Sequence, residues 1–441
     1  MAQRAEQRAQ EGLVGPGRAS GGSTVLLLAD TQSYRVEDFA AAARRLGIGF
    51  IVGSDRCHVL AELFDEKFLI VNFDRPDEAA RAIVDFTLAQ RIDAIIPGGD
   101  RMAVVASLAS SALGLPHNPV DAALAASDKR LLREALARGG VRSPRHAVFS
   151  IDEPAMLAGE RVAAEIGFPC VVKPLRLSAS RGVIRADDRG SFALAVARLA
   201  ALLRTDEIRK MRDAENERYL VEEFVPGAEV AVEAIITAGS LHVLAIFDKP
   251  DPLDGPFFEE TIYVTPSRQP ASVQAEIAAE TAAGARALEL TFGSVHAELR
   301  VNERGAHIIE IAARSIGGLC SRALRFGLGA SLEEIILRSA LGRSVDSLER
   351  ERAASGVMMI PIPRAGILKE VRGVADAERV AGIESVTITV DPGQTVVPLP
   401  DGASYLGFLF ARGESPALVE QSLRDAHAAL SFAIAPRATP A

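Results

Sequence analysis

The sequence predicts a multidomain α/β and α+β protein that opens on a doubly wound parallel sheet. Three observations predict it. Residues 24 to 125 alternate short apolar runs with amphipathic stretches, the rhythm of a parallel sheet covered on both faces. Strand–turn–strand patterns follow at 218–237 and 295–314, and residues 355–435 alternate short strands with a final amphipathic helix. The 441-residue length allows about two to four domains with ample core. The boundaries we read are 1–23 as a disordered leader, 24–125 as an N-terminal α/β domain, 126–345 as a central domain and 346–441 as a C-terminal α+β lobe.

Each element follows from its residues. TVLLLAD is a buried strand, VEDFAAAARRLG a helix stopped at Gly47, GIGFIVG a second strand and KFLIVNF a third. DEAARAIVDFTLAQRI is a helix, and DAIIPGGD a fourth strand ending in a glycine turn. No GxGxxG follows the first strand, so a dinucleotide site is not expected. Asp100, at the end of the fourth strand, either faces a ligand crevice or caps the next helix. Ser127 is the expected cap of a helix ending at Gly139-Gly140. Lys129 in its first turn opposes the helix dipole, and is either a surface lysine or one aimed at a phosphate.

Composition narrows the function. Hydrophobic content of 48% with 24% charged residues is that of a soluble globular protein. A net charge of −9 argues against nucleic acid or an anionic membrane as partner. Cys57, Cys170 and Cys320 are scattered, without metal-ligand spacing, as suits the reducing cytoplasm. No apolar run reaches about 18 residues, so no membrane span is expected, and Met1–Ser23 lacks the apolar core of a secretory signal.

The stretches that carry chemistry lie in the middle of the chain. Lys173 sits in the strand pattern VVKP, followed by the small-residue loop Ser178-Ala179-Ser180-Arg181-Gly182. Such a loop can close N–H groups and hydroxyls over phosphate oxygens, or simply make a turn. Glu222, Glu223 and Glu229 bracket Phe224-Val225, where a backbone edge can read an adenine and a carboxylate can accept ribose hydroxyls. LHVLAIFDKP is a strand ending at Asp248-Lys249. DPLDGPFFEETIYVTPS, long and aromatic, reads as a functional loop.

HAELRVNERGAHIIEIAARSIGG reads as a β-hairpin with a three-residue loop, Glu303-Arg304-Gly305. That register sets Glu298 opposite Glu310. Val295, Ala297, Leu299, Val301, Ile309, Ile311 and Ala313 form the apolar face; His296, Glu298, Arg300, Glu310 and Arg314 form the other. Opposed carboxylates at about 5 Å repel by roughly 3 kcal/mol at an effective dielectric near 20. Water, a shared proton or a hard divalent cation relieves this, and Arg314 can hold an anion beside such a cation.

Taken together and in this order, SDK with Lys129, VVKP with Lys173, the small-residue loop, VEEFVPGAE, Glu298, Glu310, EIAAR and the glycine pair resemble the ATP-grasp superfamily. FDKP, PFFEETIYVTPS, the hairpin and the C-terminal GVMMIPIPRAGILKEVRGV and VTITVDPGQTVVPL resemble its dipeptide-forming L-amino-acid ligase branch, over about residues 24–435. The resemblance implies that residues 126–345 form a two-lobed ATP-grasp domain. It implies that Lys129 and Lys173 contact ATP phosphates and that Ser180, Arg181 and Gly182 belong to a mobile loop over the triphosphate. Glu222, Glu223, Phe224 and Val225 would hold the adenine and Glu229 the ribose. Glu298 and Glu310 would bind two Mg²⁺ ions, with Mn²⁺ as a substitute. Arg314 and Lys249 would stabilise the transferred phosphoryl group, and Tyr263, Ser267, Gly317 and Gly318, with Arg314, would meet the substrates.

The implied reaction joins a small carboxylic acid to an amine through an acyl phosphate, and homodimers are frequent in the superfamily. The alternatives are a purine-pathway or carboxylase-type enzyme, or an inactive ATP-binding regulatory protein. Three positions depart from the pattern: Ala312 where asparagine is common, Ala179 where glycine is frequent, and Tyr263 where relatives often have histidine.

Overall fold

The computed structural model describes residues 22–31, 33–55 and 67–437; residues 1–21 of the expected leader and Cys57 lie outside the described residues. Four parallel strands, β1 (Thr24–Leu28), β2 (Gly49–Ser54), β3 (Lys67–Ile70) and β4 (Ala94–Pro97), form the N-terminal sheet in the order β3-β2-β1-β4. Val25 and Leu27 enter one core cluster, while Leu26 and Leu28 enter another. Burial on both faces is why TVLLL is apolar throughout rather than alternating. Helices α1 (Val36–Leu46), α2 (Pro76–Phe86) and α3 (Asp100–Leu113) complete this unit. Gly47 ends α1 in the left-handed conformation, φ 61°. Asp100 is the first residue of α3.

Helices α4 (Val120–Ser127) and α5 (Lys129–Arg138) lead into the centre of the molecule. The cap of α5 is Asp128, not Ser127: its carboxylate accepts the N–H groups of Arg130 and Leu131. Ser127 is already the last residue of α4, and its hydroxyl donates back to the Leu124 carbonyl. A four-stranded antiparallel sheet follows, from β5 (His146–Ser150), β6 (Cys170–Pro174), β7 (Ile184–Ala186) and β8 (Arg218–Glu223). It is backed by α6 (Ala155–Glu165) and α7 (Arg189–Leu203), which share its core.

The largest sheet has eight strands. From the middle of the chain come β9 (Ala228–Thr237), β10 (Ser240–Lys249), β11 (Ile262–Thr265), β12 (Gly293–Asn302) and β13 (Gly305–Ala312), with α8 (Ala271–Ala287) and, after a two-stranded ribbon, α9 (Leu332–Ala340). From the C-terminal region come β14 (Ala354–Ile360), β15 (Ile383–Ile388) and β16 (Gly407–Gly413). The order is β13-β12-β9-β10-β11-β14-β16-β15. The C-terminal region is thus stitched into the central sheet, through the pairing of β11 with β14. The stretch we read as a continuous long loop supplies that strand at its far end.

The expected final helix over SPALVEQSLRDAHAALSFAI is shorter. Helix α10 (Pro416–Ala429) stops before Leu430, whose backbone is extended, and Ser431–Ala435 returns as an edge strand against Gly366–Arg372. Alternation within SFAIA suits a strand better than a helical turn.

Candidate functional site

Across the hairpin, Glu298 pairs with Glu310 and Ala297 with Ile311, as the pattern predicts. The turn differs. Asn302 pairs with Gly305, leaving a two-residue loop, Glu303-Arg304. A bulge between Glu298 and Leu299 inserts Ile309 as an unpaired residue and restores the register. Ile308, not Ile309, therefore joins the apolar core, and Ile309 lines a cleft beside Glu310. The Ile309 carbonyl is taken by Arg133 at 2.6 Å.

That cleft lies between the four-stranded and eight-stranded sheets. It is lined by Lys129, Lys173, Ser178–Ser180, Glu222–Val225, Glu229, Glu260, Glu298, Arg300 and Glu310. Ten residues given a binding role from the sequence thus meet in one space: Lys129, Lys173, Ser180, Glu222, Glu223, Phe224, Val225, Glu229, Glu298 and Glu310. Lys129 donates to the Leu177 carbonyl at 2.7 Å, which ties the first turn of α5 to the small-residue loop. Ala179 and Ser180 both adopt φ 54°, a conformation that favours glycine.

Two buried ion clusters frame the cleft. In the first, Glu222 lies 2.5 Å from the Lys173 ammonium and accepts from Arg133 at 2.7 Å. Burial alone would raise the Glu222 carboxyl, but Arg133 and Lys173 outweigh it and bring it down to about 2. Burial draws the Lys173 ammonium below its ordinary value, against the pull of Glu222. The Glu222 side chain is thus committed to its cations. Glu223 is paired with Arg145 at 2.9 Å. The Val225 N–H has no hydrogen-bond partner among the described residues.

The second cluster centres on Lys249, whose ammonium contacts Glu229 at 2.9 Å, Glu260 at 2.5 Å and Glu298 at 2.9 Å. Oxygens of these three carboxylates lie within 4.8 Å of one another. Arg300 adds a second contact to Glu229 at 2.9 Å and lies over the Phe224 ring. Burial, then neighbouring Glu298, push the Glu260 carboxyl up to about 7, against Lys249. Burial opposes the charge on Glu298 and on Lys249, yet their mutual attraction keeps both ionised. Tyr263 donates to Glu298 at 3.3 Å. His296, on the same face, contacts Glu233 at 3.3 Å, and Glu233 accepts the Ile316 N–H at 2.9 Å.

Other predicted residues stand apart from the cleft. Arg181 turns away, binding Glu207 at 2.8 and 2.9 Å and the Asp401 carbonyl at 2.8 Å. The Gly182 N–H donates to the Pro400 carbonyl at 2.8 Å, so this end of the loop is clasped by the C-terminal region. Ser267 is buried and donates to Asp248 at 2.5 Å, because it shapes the turn after β11. Arg314 lies beyond β13, where its guanidinium binds Asp100 at 2.7 and 3.3 Å. Asp100 therefore pairs an arginine rather than capping α3. A Cβ on Gly317 would meet nothing within 4 Å, whereas one on Gly318 would press on Phe408 at 3.0 Å.

Sequence reading missed Glu260, Arg133 and Arg300 as parts of the site. Glu260 stood in view in FFEETIYV, and its approach to Lys249 follows from the pairing of β10 with β11.

Comparisons with known proteins match this layout. Residues 39–117 match the ATP-grasp N-terminal domain, residues 166–323 the ATP-grasp domain and residues 358–435 the L-amino acid ligase C-terminal domain 2. The chain is 26% identical over 278 residues to alanine–anticapsin ligase of Bacillus subtilis, an alignment covering 60% of this chain and 57% of that relative. It is 25% identical over 383 residues to dapdiamide A synthase of Enterobacter agglomerans, covering 83% and 87%. The fold is that of the L-amino acid ligase from Bacillus licheniformis, with a TM-score of 0.78 at 22% identity, over 95% of this chain and 100% of that one. No helix among the described residues is long and apolar enough to cross a membrane. With its N-terminal, central and C-terminal domains matched in that order, the chain belongs to the ATP-grasp superfamily and, within it, to the L-amino acid ligase family.

Proposed function

We propose that the protein is an ATP-dependent carboxylate–amine ligase, joining an amino acid or related small acid to an amine and releasing ADP and phosphate. One observation carries this: a single cleft joins a free backbone N–H beside an aromatic ring, two lysines, and three converging carboxylates. A nucleotide needs such groups in that sequence. The Val225 N–H can meet an adenine edge beside Phe224, and Glu229 can accept ribose hydroxyls. Lys129 and Lys173, with the Ser178–Ser180 loop, can balance phosphate charge. The family match, and relatives named alanine–anticapsin ligase and dapdiamide A synthase, support the same reading.

The donor set fits a hard divalent ion, since its atoms are carboxylate oxygens whose negative charge exceeds that of Lys249 and Arg300. Glu298, Glu310 and Glu260 would hold Mg²⁺, two ions in our reading, which when bound would neutralise phosphate oxygens and fix them in place.

A carboxylate acylates poorly because oxide leaves poorly. Transfer of the γ-phosphoryl group to its oxygen gives an acyl phosphate and ADP. Amine attack on the carbonyl carbon then forms the amide bond, and the C–O bond electrons leave with phosphate. Lys173 and Lys249 supply fixed positive charge while negative charge shifts between oxygens. The loop Ser178–Gly182, fastened to Pro400 and Asp401, excludes water that would hydrolyse the acyl phosphate.

The test is phosphate release from Mg-ATP with amino acids singly and in pairs, beside a Glu310→Ala control. Release that requires particular pairs and vanishes in the control is expected. Tight Mg-ATP binding with no release from any pair would overturn the amino-acid reading.

A further inference from the structure

The turn at 397–402, with the sequence VPLPDG, reaches from the C-terminal region back to the four-stranded sheet. Its shape is set locally. Pro398 and Pro400 fix their own φ, the Gly402 N–H donates to the Pro398 carbonyl at 2.9 Å, and a Cβ on Gly402 would strike the Val397 carbonyl. Two successive carbonyls are thereby held out toward the small-residue loop. Pro400 accepts the Gly182 N–H, and Asp401 accepts from the Arg181 guanidinium. The Asp401 carboxylate takes a further hold, accepting from Arg198 of α7 at 2.8 and 3.3 Å. The Arg198 guanidinium also lies 5.1 Å from the centre of the Phe257 ring. Phe257 bridges Ile184 of β7, and the next residue of that strand, Arg185, donates its N–H to the Pro256 carbonyl at 2.9 Å. The turn and the long loop before β11 thus meet at Arg198.

We propose that the 397–402 turn is a releasable latch on the small-residue loop, and that it sets how fast nucleotide leaves the cleft. The inference rests on the nucleotide reading of the cleft and adds a part for the C-terminal region. Ser178, Ala179 and Ser180 line the cleft, and the residues directly after them, Arg181 and Gly182, are the ones the turn holds. A phosphate chain lying under that wall leaves only when the wall moves. The wall moves when Gly182 parts from Pro400, and the tie of Asp401 to α7 keeps Pro400 in place. The strength of the tie suits release. The Asp401 and Arg198 side chains are each 45% exposed, whereas those of the Arg133–Glu222 pair are 1% and 2% exposed. A pair open to water shifts an equilibrium about two- to fivefold, so it breaks and re-forms readily, while a buried pair holds throughout.

The test uses the full-length protein. Hydrogen exchange of the segment 178–183, read by mass spectrometry without nucleotide, reports opening at the Gly182 N–H. Asp401→Ala and Arg198→Ala are each expected to speed that exchange about two- to fivefold. The double variant is expected to exchange no faster than the faster single one, because the two residues share one contact. Arg204→Ala removes another ion pair of the same lobe, with Asp152, and is expected to leave the exchange unchanged. Dissociation of a fluorescent ADP analogue with Mg²⁺ is expected to quicken by the same factor in the two latch variants and to stay unchanged in Arg204→Ala. Unchanged exchange in both latch variants, or faster exchange with an unchanged dissociation rate, overturns the proposal while leaving the ligase reading intact. Failure of the unmodified protein to bind the ADP analogue overturns the nucleotide reading, and this proposal with it.

Discussion

The two buried ion clusters of the cleft are opposites in balance. Around Glu222 two cations, Lys173 and Arg133, surround one carboxylate. Around Lys249 three carboxylates surround one ammonium, and Arg300 supplies only a partial complement. The first has surplus positive charge turned toward the place where phosphates would lie. The second has surplus negative charge that a bound cation would relieve. Neither is an optimised structural ion pair, because each lacks charge that only a ligand supplies. Buried charge of this kind lowers stability unless it is matched, so both clusters read as prepared for an anion and a cation bound side by side.

The largest effect should come from breaking the first cluster. Glu222→Gln leaves Lys173 and Arg133 buried without an anion and is expected to cost about 3–5 kcal/mol, read from urea unfolding. The sign of its pH dependence follows. Glu222 ionises at about 2 in the folded protein against an ordinary 4.5. Its contribution is therefore complete above pH 4.5 and is lost as pH falls toward about 2. The gap between the unmodified protein and Glu222→Gln should stay constant near neutrality and close over that acid range. A gap that widened on acidification would remove Glu222 as the anion of the cluster.

Breaking the second cluster should cost activity rather than stability. Glu298→Gln is expected to lower substrate-dependent phosphate release about 100- to 1000-fold, with the folded state retained. Loss of fold together with activity would make Glu298 a structural partner of Lys249 and no more.

How much of this was legible depends on the range of the interaction. The parallel sheet could be read because TVLLL and AIIP are buried on both faces and their neighbours alternate with helices. The Glu298–Glu310 register could also be read, although through a different turn: the two-residue loop and the bulge at Ile309 compensate each other. A one-residue error in the loop leaves parity intact when one strand carries an extra residue. Glu260 was not placed in the site because it lies outside any regular element, and only long-range pairing brings it to Lys249. Arg133 hides on a helix whose pattern looks ordinary. Nothing local in Arg181 shows that Glu207 and Asp401 draw it away from the cleft.

A subtler change sharpens the contrast between the clusters. Glu260→Gln removes one of three like charges while leaving Lys249 with Glu229 and Glu298. Without Mg²⁺, and above the pH near 7 at which Glu260 ionises, the variant should be more stable than the unmodified protein by about 1 kcal/mol. The same variant should lose the thermal stabilisation that Mg-ATP gives. A destabilised variant in the absence of Mg²⁺ would mean that Glu260 serves Lys249 rather than a metal.

The smallest effect concerns the loop that covers the phosphate side. Ala179 and Ser180 hold φ 54° without being glycine, a strain of about 1–2 kcal/mol for each residue. In Ala179→Gly that strain is relieved, but the unfolded chain gains freedom worth about 0.4–1 kcal/mol, so the two terms nearly cancel in stability. They do not cancel in the loop itself, which becomes free to leave its turn. The melting temperature should therefore hardly move, while KM for ATP rises about two- to threefold as ordering the loop draws on binding energy. A higher melting temperature with unchanged KM would show that the strained turn restrains folding alone. An unchanged melting temperature with a weaker KM would show that the alanine keeps the loop set for the nucleotide, between the lysines of one cluster and the acids of the other.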